Sequence, residues 1–350
     1  MKKILGILLI LLIIGAVIFG WLFKMVFISQ NGDSELKTFV IEQGQGVNQI
    51  SINLKEQDLI DNNFVFETYV WLRKSEEKII AGEHKLSGHM SVHQLLNNLM
   101  SGNTITNERN ITIIEGWNLR DIGFYLENQG IAQAEELWEL VGFPAVNYNL
   151  QTDLTKPQDF SAEFILLKNK PDNISYEGYL FPDTYRVFQD ASVEEIVLKM
   201  FANFENKITQ DMLNEINQQG KTLFDVITLA SIVEKEGDTF ENKKKVAGVY
   251  YNRLEIGMAL QADPTVNYVT GKSTDRPSLN DIETDNFYNT YQYPGLPPGP
   301  ICNPGLDSIK AVIYPDVHDH FFFINTPDGE MIFANTFEQH IQNRQRYLED

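Results

Sequence analysis

The feature that most constrains this chain is a run of twenty uncharged, almost wholly apolar residues at positions 4–23, ILGILLILLIIGAVIFGWLF. At about 1.5 Å per residue, a helix of that length spans a ~30 Å hydrocarbon core. Lys2 and Lys3 precede the run, and only Lys24 follows it closely. The excess of positive charge on the near side keeps that end in the cytoplasm and exports everything after Lys24. A cleaved signal peptide would carry a shorter apolar stretch, about 7–15 residues, and small residues at the cut. The exit here, Trp21-Leu22-Phe23-Lys24-Met25-Val26-Phe27-Ile28, is bulky throughout. The expectation is therefore an uncleaved anchor over residues 1–30, single-pass in the cytoplasmic membrane, with the rest of the chain extracytoplasmic.

Export narrows the chemistry. An exported domain has no access to cytosolic ATP or nicotinamide pools, and the chain contains neither GxxxxGK[ST] nor GxGxxG, so no cofactor is expected. Its 28 lysines and arginines stand against 48 aspartates and glutamates, a net charge of −20. Such a surface repels phosphate backbones and argues against a nucleic-acid partner. One cysteine, Cys302, excludes an internal disulfide framework and a CxxC-type zinc site. The six histidines form no HExxH, and His318-Asp319-His320 reads as a solvated turn before a strand, so no metal is expected. With 43% apolar and 11% aromatic residues the chain is globular, and 350 residues call for two or three folded units.

After a polar break at residues 31–34, Thr38-Phe39-Val40-Ile41 reads as a strand, Gly44-Gln45-Gly46 as a turn, and Val47, Ile50 and Leu54 as the start of a helix. Residues 64–74 look helical, residues 79–86 look like a strand pair, and Ser91 caps a helix over residues 92–100. Val47, Ile50, Leu54, Gln57 and Leu59 recur, 72 positions on, as Leu119, Ile122, Leu126, Gln129 and Ile131, a weak internal repeat. Further along, residues 193–207 and 222–235 are helix candidates. Residues 294–305 hold five prolines and three glycines and form a rigid, hydrogen-bond-poor loop. Residues 321–334 read as a hairpin, and Thr336 with Gln339 as a capping box for the last helix. The fold class expected is α+β: a transmembrane helix, a small α/β module over residues 36–104, and a larger mixed α/β domain over residues 110–350.

The segment Thr222-Leu223-Phe224-Asp225-Val226-Ile227-Thr228-Leu229-Ala230-Ser231-Ile232-Val233-Glu234-Lys235-Glu236-Gly237 is the richest in chemistry. At 100° per residue its apolar side chains cover most of the circumference, as in a central helix. Two glutamates sit at its C-terminal end, where the helix dipole, like burial, disfavours a carboxylate and raises its pKa. A proton held at neutral pH is what a general acid needs. Projection places Glu234 in the main apolar arc and Glu236 opposite, and does not choose between them. A frayed, solvated Glu-Lys-Glu end is the bland alternative.

Several longer stretches resemble a known family. Leu229-Ala230-Ser231-Ile232-Val233-Glu234-Lys235-Glu236 is similar to the signature of the MltG (YceG-like) endolytic murein transglycosylases. So are Val249-Tyr250-Tyr251-Asn252-Arg253-Leu254, Gln261-Ala262-Asp263-Pro264-Thr265-Val266, Tyr288-Asn289-Thr290-Tyr291, Gly295-Leu296-Pro297-Pro298-Gly299-Pro300-Ile301, Asn303-Pro304-Gly305 and, upstream, Glu177-Gly178-Tyr179-Leu180-Phe181-Pro182-Asp183-Thr184-Tyr185. Their order and spacing agree over nearly the whole chain, with mild departures at Ala262 and Gly237. The resemblance implies cleavage of the β-1,4 bond between N-acetylmuramic acid and N-acetylglucosamine within nascent peptidoglycan strands. The products would be 1,6-anhydro-muramic ends, and the cut would end glycan elongation. It places the catalytic carboxylate on Glu236, with Glu234 the alternative acid. It leaves Gln261, Asp263, Asn289, Tyr291 and Glu177 as candidates for binding sugar or shaping the cleft.

The opening Phe39-Val40-Ile41-Glu42-Gln43-Gly44 with Val47-Asn48-Gln49-Ile50 also resembles a LysM-like module, a small βααβ unit that in many proteins grips wall glycan, though a plain spacer fits as well. Peptidoglycan strands, the membrane and peptidoglycan synthases of elongation or division are the partners expected. Two rival readings remain: a muramidase hydrolase that activates water with Asp263 or Glu177, and a non-catalytic wall-binding scaffold.

Overall fold

The computed structural model describes residues 24, 26–28, 35–101, 104–105, 108–272, 274 and 276–348. The apolar run read as an anchor lies outside the described residues, and among those residues no helix is long and apolar enough to cross a membrane. The chain divides into two compact units, Met1–Arg109 and Asn110–Asp350. The architecture is mixed α+β, with many helices and small sheets.

In the first unit, strand β1 (Lys37–Ile41) runs antiparallel to β2 (Gly82–Leu86), Lys37 opposite Leu86 and Ile41 opposite Gly82. The two-residue period of β1 sends Phe39 and Ile41 into the core and leaves Val40 outside. Helices α1 (Val47–Glu56) and α2 (Asn63–Leu72) connect the strands. Helix α3 (Val92–Met100) follows. Its cap is the one expected: Ser91 Oγ accepts the Gln94 N–H, and the Gln94 side chain accepts the Ser91 N–H. The short β3 (Thr104–Ile105) adds to the free edge of β2. Residues 79–86 are not a strand pair, because only 82–86 are extended into the sheet. Ile80 instead donates its N–H to Leu99 at the end of α3, and its carbonyl bonds the ring of buried His84 at 2.8 Å.

Through β4 (Glu108–Thr112) the chain enters the second unit, which continues with α4 (Leu119–Asn128) and α5 (Ala134–Val141), then an irregular stretch to β5 (Thr184–Phe188), which pairs with β4. The 72-residue repeat is visible in space. Gln57 and Gln129 both close their helices, and Leu59 and Ile131 return an N–H to Leu54 and Leu126 at 2.9 and 3.0 Å. Each copy goes on to a second helix and then a strand that pairs with its first.

Helices α6 (Val193–Lys207), α7 (Gln210–Gln218), α8 (Leu223–Glu234), α9 (Phe240–Glu255), α10 (Asp263–Thr270), α11 (Leu279–Ile282) and α12 (Leu306–Ile313) follow. The hairpin of β6 (Phe322–Asn325) and β7 (Met331–Ala334) and helix α13 (Phe337–Tyr347) complete the unit. Helix α8 is its centre, as apolarity around the whole helix requires. Leu223, Val226, Ile227, Leu229, Ala230, Ile232 and Val233 are all buried, and α9 and α12 pack on it. The loop over residues 294–305 is better bonded than its prolines suggest. Ser231, inside α8, accepts the Ile301 N–H at 2.9 Å, and Cys302 Sγ points to the Ser231 carbonyl.

Candidate active site

Helix α8 ends sooner than its sequence periodicity. Glu234 is its last residue, Lys235 is the cap, and the N–H groups of Glu236 and Gly237 both close on the Val233 carbonyl. Glu236 thus lies beyond the helix, where a 100° projection no longer applies. Gly237 follows with a φ outside the left-handed region. A Cβ there would lie 2.9 Å from Lys243 Cγ and 3.1 Å from its backbone nitrogen, so the glycine lets α9 pass close by.

The two glutamates have different surroundings. Glu234 pairs with Lys243 at 3.2 Å, both side chains only 8% exposed. Its Oε2 also accepts the Gly305 N–H at 3.0 Å and the Ser308 hydroxyl at 2.5 Å. That carboxylate fastens α8 to α9 and α12. The half-buried Glu236 accepts a hydrogen bond from Tyr250 Oη on α9 at 3.1 Å. Burial pushes its carboxyl up to about 7; the Tyr250 hydroxyl and Arg253 pull it down, and the Asp263 carboxylate pushes it up. The surroundings thus separate what projection leaves open: Glu234 is held by Lys243, Gly305 and Ser308, whereas Glu236 meets Tyr250 and its carboxyl is raised by burial.

Asp263, the first residue of α10, and Tyr291 belong to the same constellation. Tyr291 Oη donates to Asp263 Oδ1 at 2.5 Å, and burial first, then Asp263 and the charge of Glu236, raise the pKa of the Tyr291 hydroxyl. Gln261, two residues earlier and outside the helix, is exposed, with φ of 50° and its N–H on the Thr290 carbonyl. Asn289 is fully buried. Its Nδ2 donates to the Ile282 and Thr284 carbonyls, both at 2.8 Å, and its Oδ1 accepts the Tyr291 N–H. Those bonds make Asn289 a brace that aims Tyr291.

Glu177 is also enclosed. Both its oxygens face the Leu119 N–H at the start of α4, with Tyr268 Oη and Asn303 Nδ2 adding bonds. Burial lifts its carboxyl to about 8 against the Leu119 and Tyr268 hydrogen bonds. The folded protein therefore binds the Glu177 proton more tightly than the unfolded chain, whose carboxyl has the ordinary value of 4.5. The resulting stability is fully present below about pH 4.5 and lost as pH rises through about 8. Denaturant midpoints of the wild type should fall across that window, and Glu177→Gln should flatten the fall.

Two side chains that the sequence reading quoted without a role prove central. Tyr250 and Arg253, one turn apart on α9, share a face. Arg253 donates to the Phe321 and Leu260 carbonyls, both at 2.6 Å, tying the hairpin and the turn before α10 to the site. Their i, i+3 spacing was the signal available in the sequence.

The sequence profile of the YceG-like family matches residues 39–346. The chain belongs to the YceG-like family. It is 32% identical over 320 residues to a Bacillus subtilis (strain 168) protein named endolytic murein transglycosylase, covering 88% of this chain and 84% of that one. A Streptococcus pneumoniae (D39) protein of the same name is 29% identical over 336 residues, and there the match spans 59% of the longer relative. The crystal structure of a yceG-like protein from Listeria monocytogenes superposes with a TM-score of 0.57 at 29% identity, over 89% of this chain and 99% of that one. Within this YceG-like chain, the matched region contains all the residues from Glu177 to Tyr291 described above.

Proposed function

We propose that this chain is an endolytic lytic transglycosylase of peptidoglycan, with Glu236 performing both proton transfers. The observation that carries the proposal is the Glu236 carboxyl itself: half-buried, hydrogen-bonded by Tyr250 Oη at 3.1 Å, and pushed up by burial to about 7. As an acid it gives its proton to the glycosidic oxygen between N-acetylmuramic acid and N-acetylglucosamine while the C1–O bond breaks. As a carboxylate it then takes the proton of the muramic C6 hydroxyl, whose oxygen closes on C1 to form the 1,6-anhydro ring. The proton count on Glu236 is restored and no water is consumed, so no second carboxylate has to activate one, unlike the paired-acid hydrolases. Asp263 supplies a fixed negative charge that favours the cationic sugar centre of the transition state. The names of the relatives support the same reaction.

The anchor at residues 4–23 puts this chemistry at the outer face of the cytoplasmic membrane, beside nascent strands and the synthases that make them. The order β1–α1–α2–β2, with β1 antiparallel to β2, supports the LysM-like reading of residues 36–104.

Mass analysis of un-crosslinked glycan digested by the full-length protein tests the reaction. Anhydro ends, one water lighter than reducing ends, are expected. Hydrated ends would favour the hydrolase with Asp263 as water-activating partner, and no cleavage would favour the scaffold. The pH profile gives a second check. Because the acid must be protonated in the free enzyme, kcat/KM should fall as pH rises through about 7. Tyr250→Phe removes a bond that favours the ionised form and should move that limb to higher pH. Asp263→Asn removes a repelling charge and should move it lower.

A further inference from the structure

The chain that leaves the apolar run at Phe23 enters the core of the first unit almost at once. Residues 24 and 26–27 are helical, and Val26 is 8% exposed among the core residues of that unit. Phe27 packs against Tyr69 of α2 and His93 of α3, at ring-centre distances of 5.9 and 5.1 Å. Tyr69 Oη and His93 Nδ1 share a hydrogen bond of 2.7 Å that fixes this contact. With so few residues between the run and the core, the first unit has no slack with which to stand away from whatever the run is embedded in.

The same helix, α2, carries the largest apolar exposure among the described residues of that unit. Phe64 is 70% exposed, Trp71 68% and Leu72 65%, and their spacing of seven and eight residues puts them on one side of the helix. Glu67, the acid on that side, is turned away from it, its Oε1 accepting from Asn48 Nδ2 and Ser51 Oγ on α1. Arg73 follows directly and folds back, donating to Tyr69 Oη at 3.1 Å, while the exposed Lys74 after it is long enough to reach headgroup oxygens with its stem on apolar surface. Glu76 and Glu77 come next and balance that charge, so the attraction is to the apolar boundary rather than to lipid charge. A helix with an aromatic and aliphatic outer side, ending in tryptophan and basic residues, has the composition of an interfacial helix.

We propose that α2 lies in the headgroup region of the membrane that the anchor spans, with Phe64, Trp71 and Leu72 dipping into the lipid. The first unit is then a collar fixed flat on the bilayer rather than a module on a tether. The inference rests on the anchor reading above.

The test uses the full-length protein in phosphatidylcholine vesicles, spin-labelled at Leu72→Cys and, separately, at Phe64→Cys, with Gln218→Cys on α7 as reference. Native Cys302 is buried and stays in place. Both α2 labels should collide severalfold less with an aqueous nickel complex, relative to oxygen, than the reference label does. The two positions guard against a fault of folding at either one. Protein that floats with the vesicles but keeps both labels as aqueous as the reference overturns the inference and leaves the anchor standing. Labels that are aqueous on vesicles and become immobilised only when glycan strands are added overturn it too, assigning the face to sugar. Full-length protein that fails to float overturns anchor and inference together.

Discussion

Glu236→Gln should lower glycan cleavage by roughly 10²–10⁴-fold, the range for losing a positioned general acid–base, without unfolding the protein. Glutamine keeps the shape of the side chain and an oxygen for Tyr250 Oη, but it has no proton to give at the leaving oxygen and no basicity to take one from the C6 hydroxyl. The stability readout separates this role from a structural one. Burial makes the ionised Glu236 unfavourable in the folded state, so its neutral isostere should match or exceed the wild-type denaturant midpoint above about pH 7. Glu234→Gln should behave in the opposite manner. It strands Lys243, 8% exposed, without its partner, and should lower the midpoint whatever it does to the rate. A rate loss without a stability loss therefore belongs to Glu236.

The second large effect concerns Gly178, which carries no chemistry. Its φ is +88°, and a Cβ built on it would lie 2.6 and 2.7 Å from the Pro300 ring and 2.8 Å from Ile227 Cγ2. Its N–H donates to Asn303 Oδ1 at 3.0 Å, within the knot that also holds Leu180, Glu177 and the Trp117 carbonyl. Neither the proline ring nor α8 can give way, so Gly178→Ala should destabilise by roughly 2–4 kcal/mol from overpacking and left-handed strain together. Gly295→Ala is the control. It has φ of +96° but nothing within 4 Å of a new Cβ, so only the strain, about 1 kcal/mol, should appear. Equal losses at the two positions would show that Pro300 and Ile227 do not close the space over Gly178.

Local signals carried much of this fold. Ser91 with Gln94 and Thr222 with Asp225 form capping boxes at the helix starts they mark. The Thr336 signal is half kept: its hydroxyl accepts the Gln339 N–H, while the Gln339 side chain takes the Asn335 N–H instead. The apolar girth of residues 223–233 identified the central helix before any contact was known. What local patterns could not reveal depends on partners distant in sequence. Glu234 and Glu236 look alike until Lys243, Gly305 and Ser308 take one and Tyr250 meets the other. Glu177 and Asn289, both polar and within family-like stretches, invite a role at the substrate, yet their hydrogen-bonding groups turn inward to Leu119, Tyr268, Ile282 and Thr284. Glu115 has no local pattern to mark it, although its carboxyl lies against Gly305 and its pKa is raised by burial and by the charge of Glu234. In each case the missing information was long-range pairing, which a one-dimensional pattern does not contain.

The central claim is that Glu236 holds a proton near neutral pH, and a carboxyl titration tests it directly. In protein carrying carbon-13 at its glutamate carboxyl groups, the signal lost on Glu236→Gln identifies the residue. The account predicts a titration midpoint for that signal of about 7. A midpoint in the ordinary glutamate range, near 4.5, would contradict it.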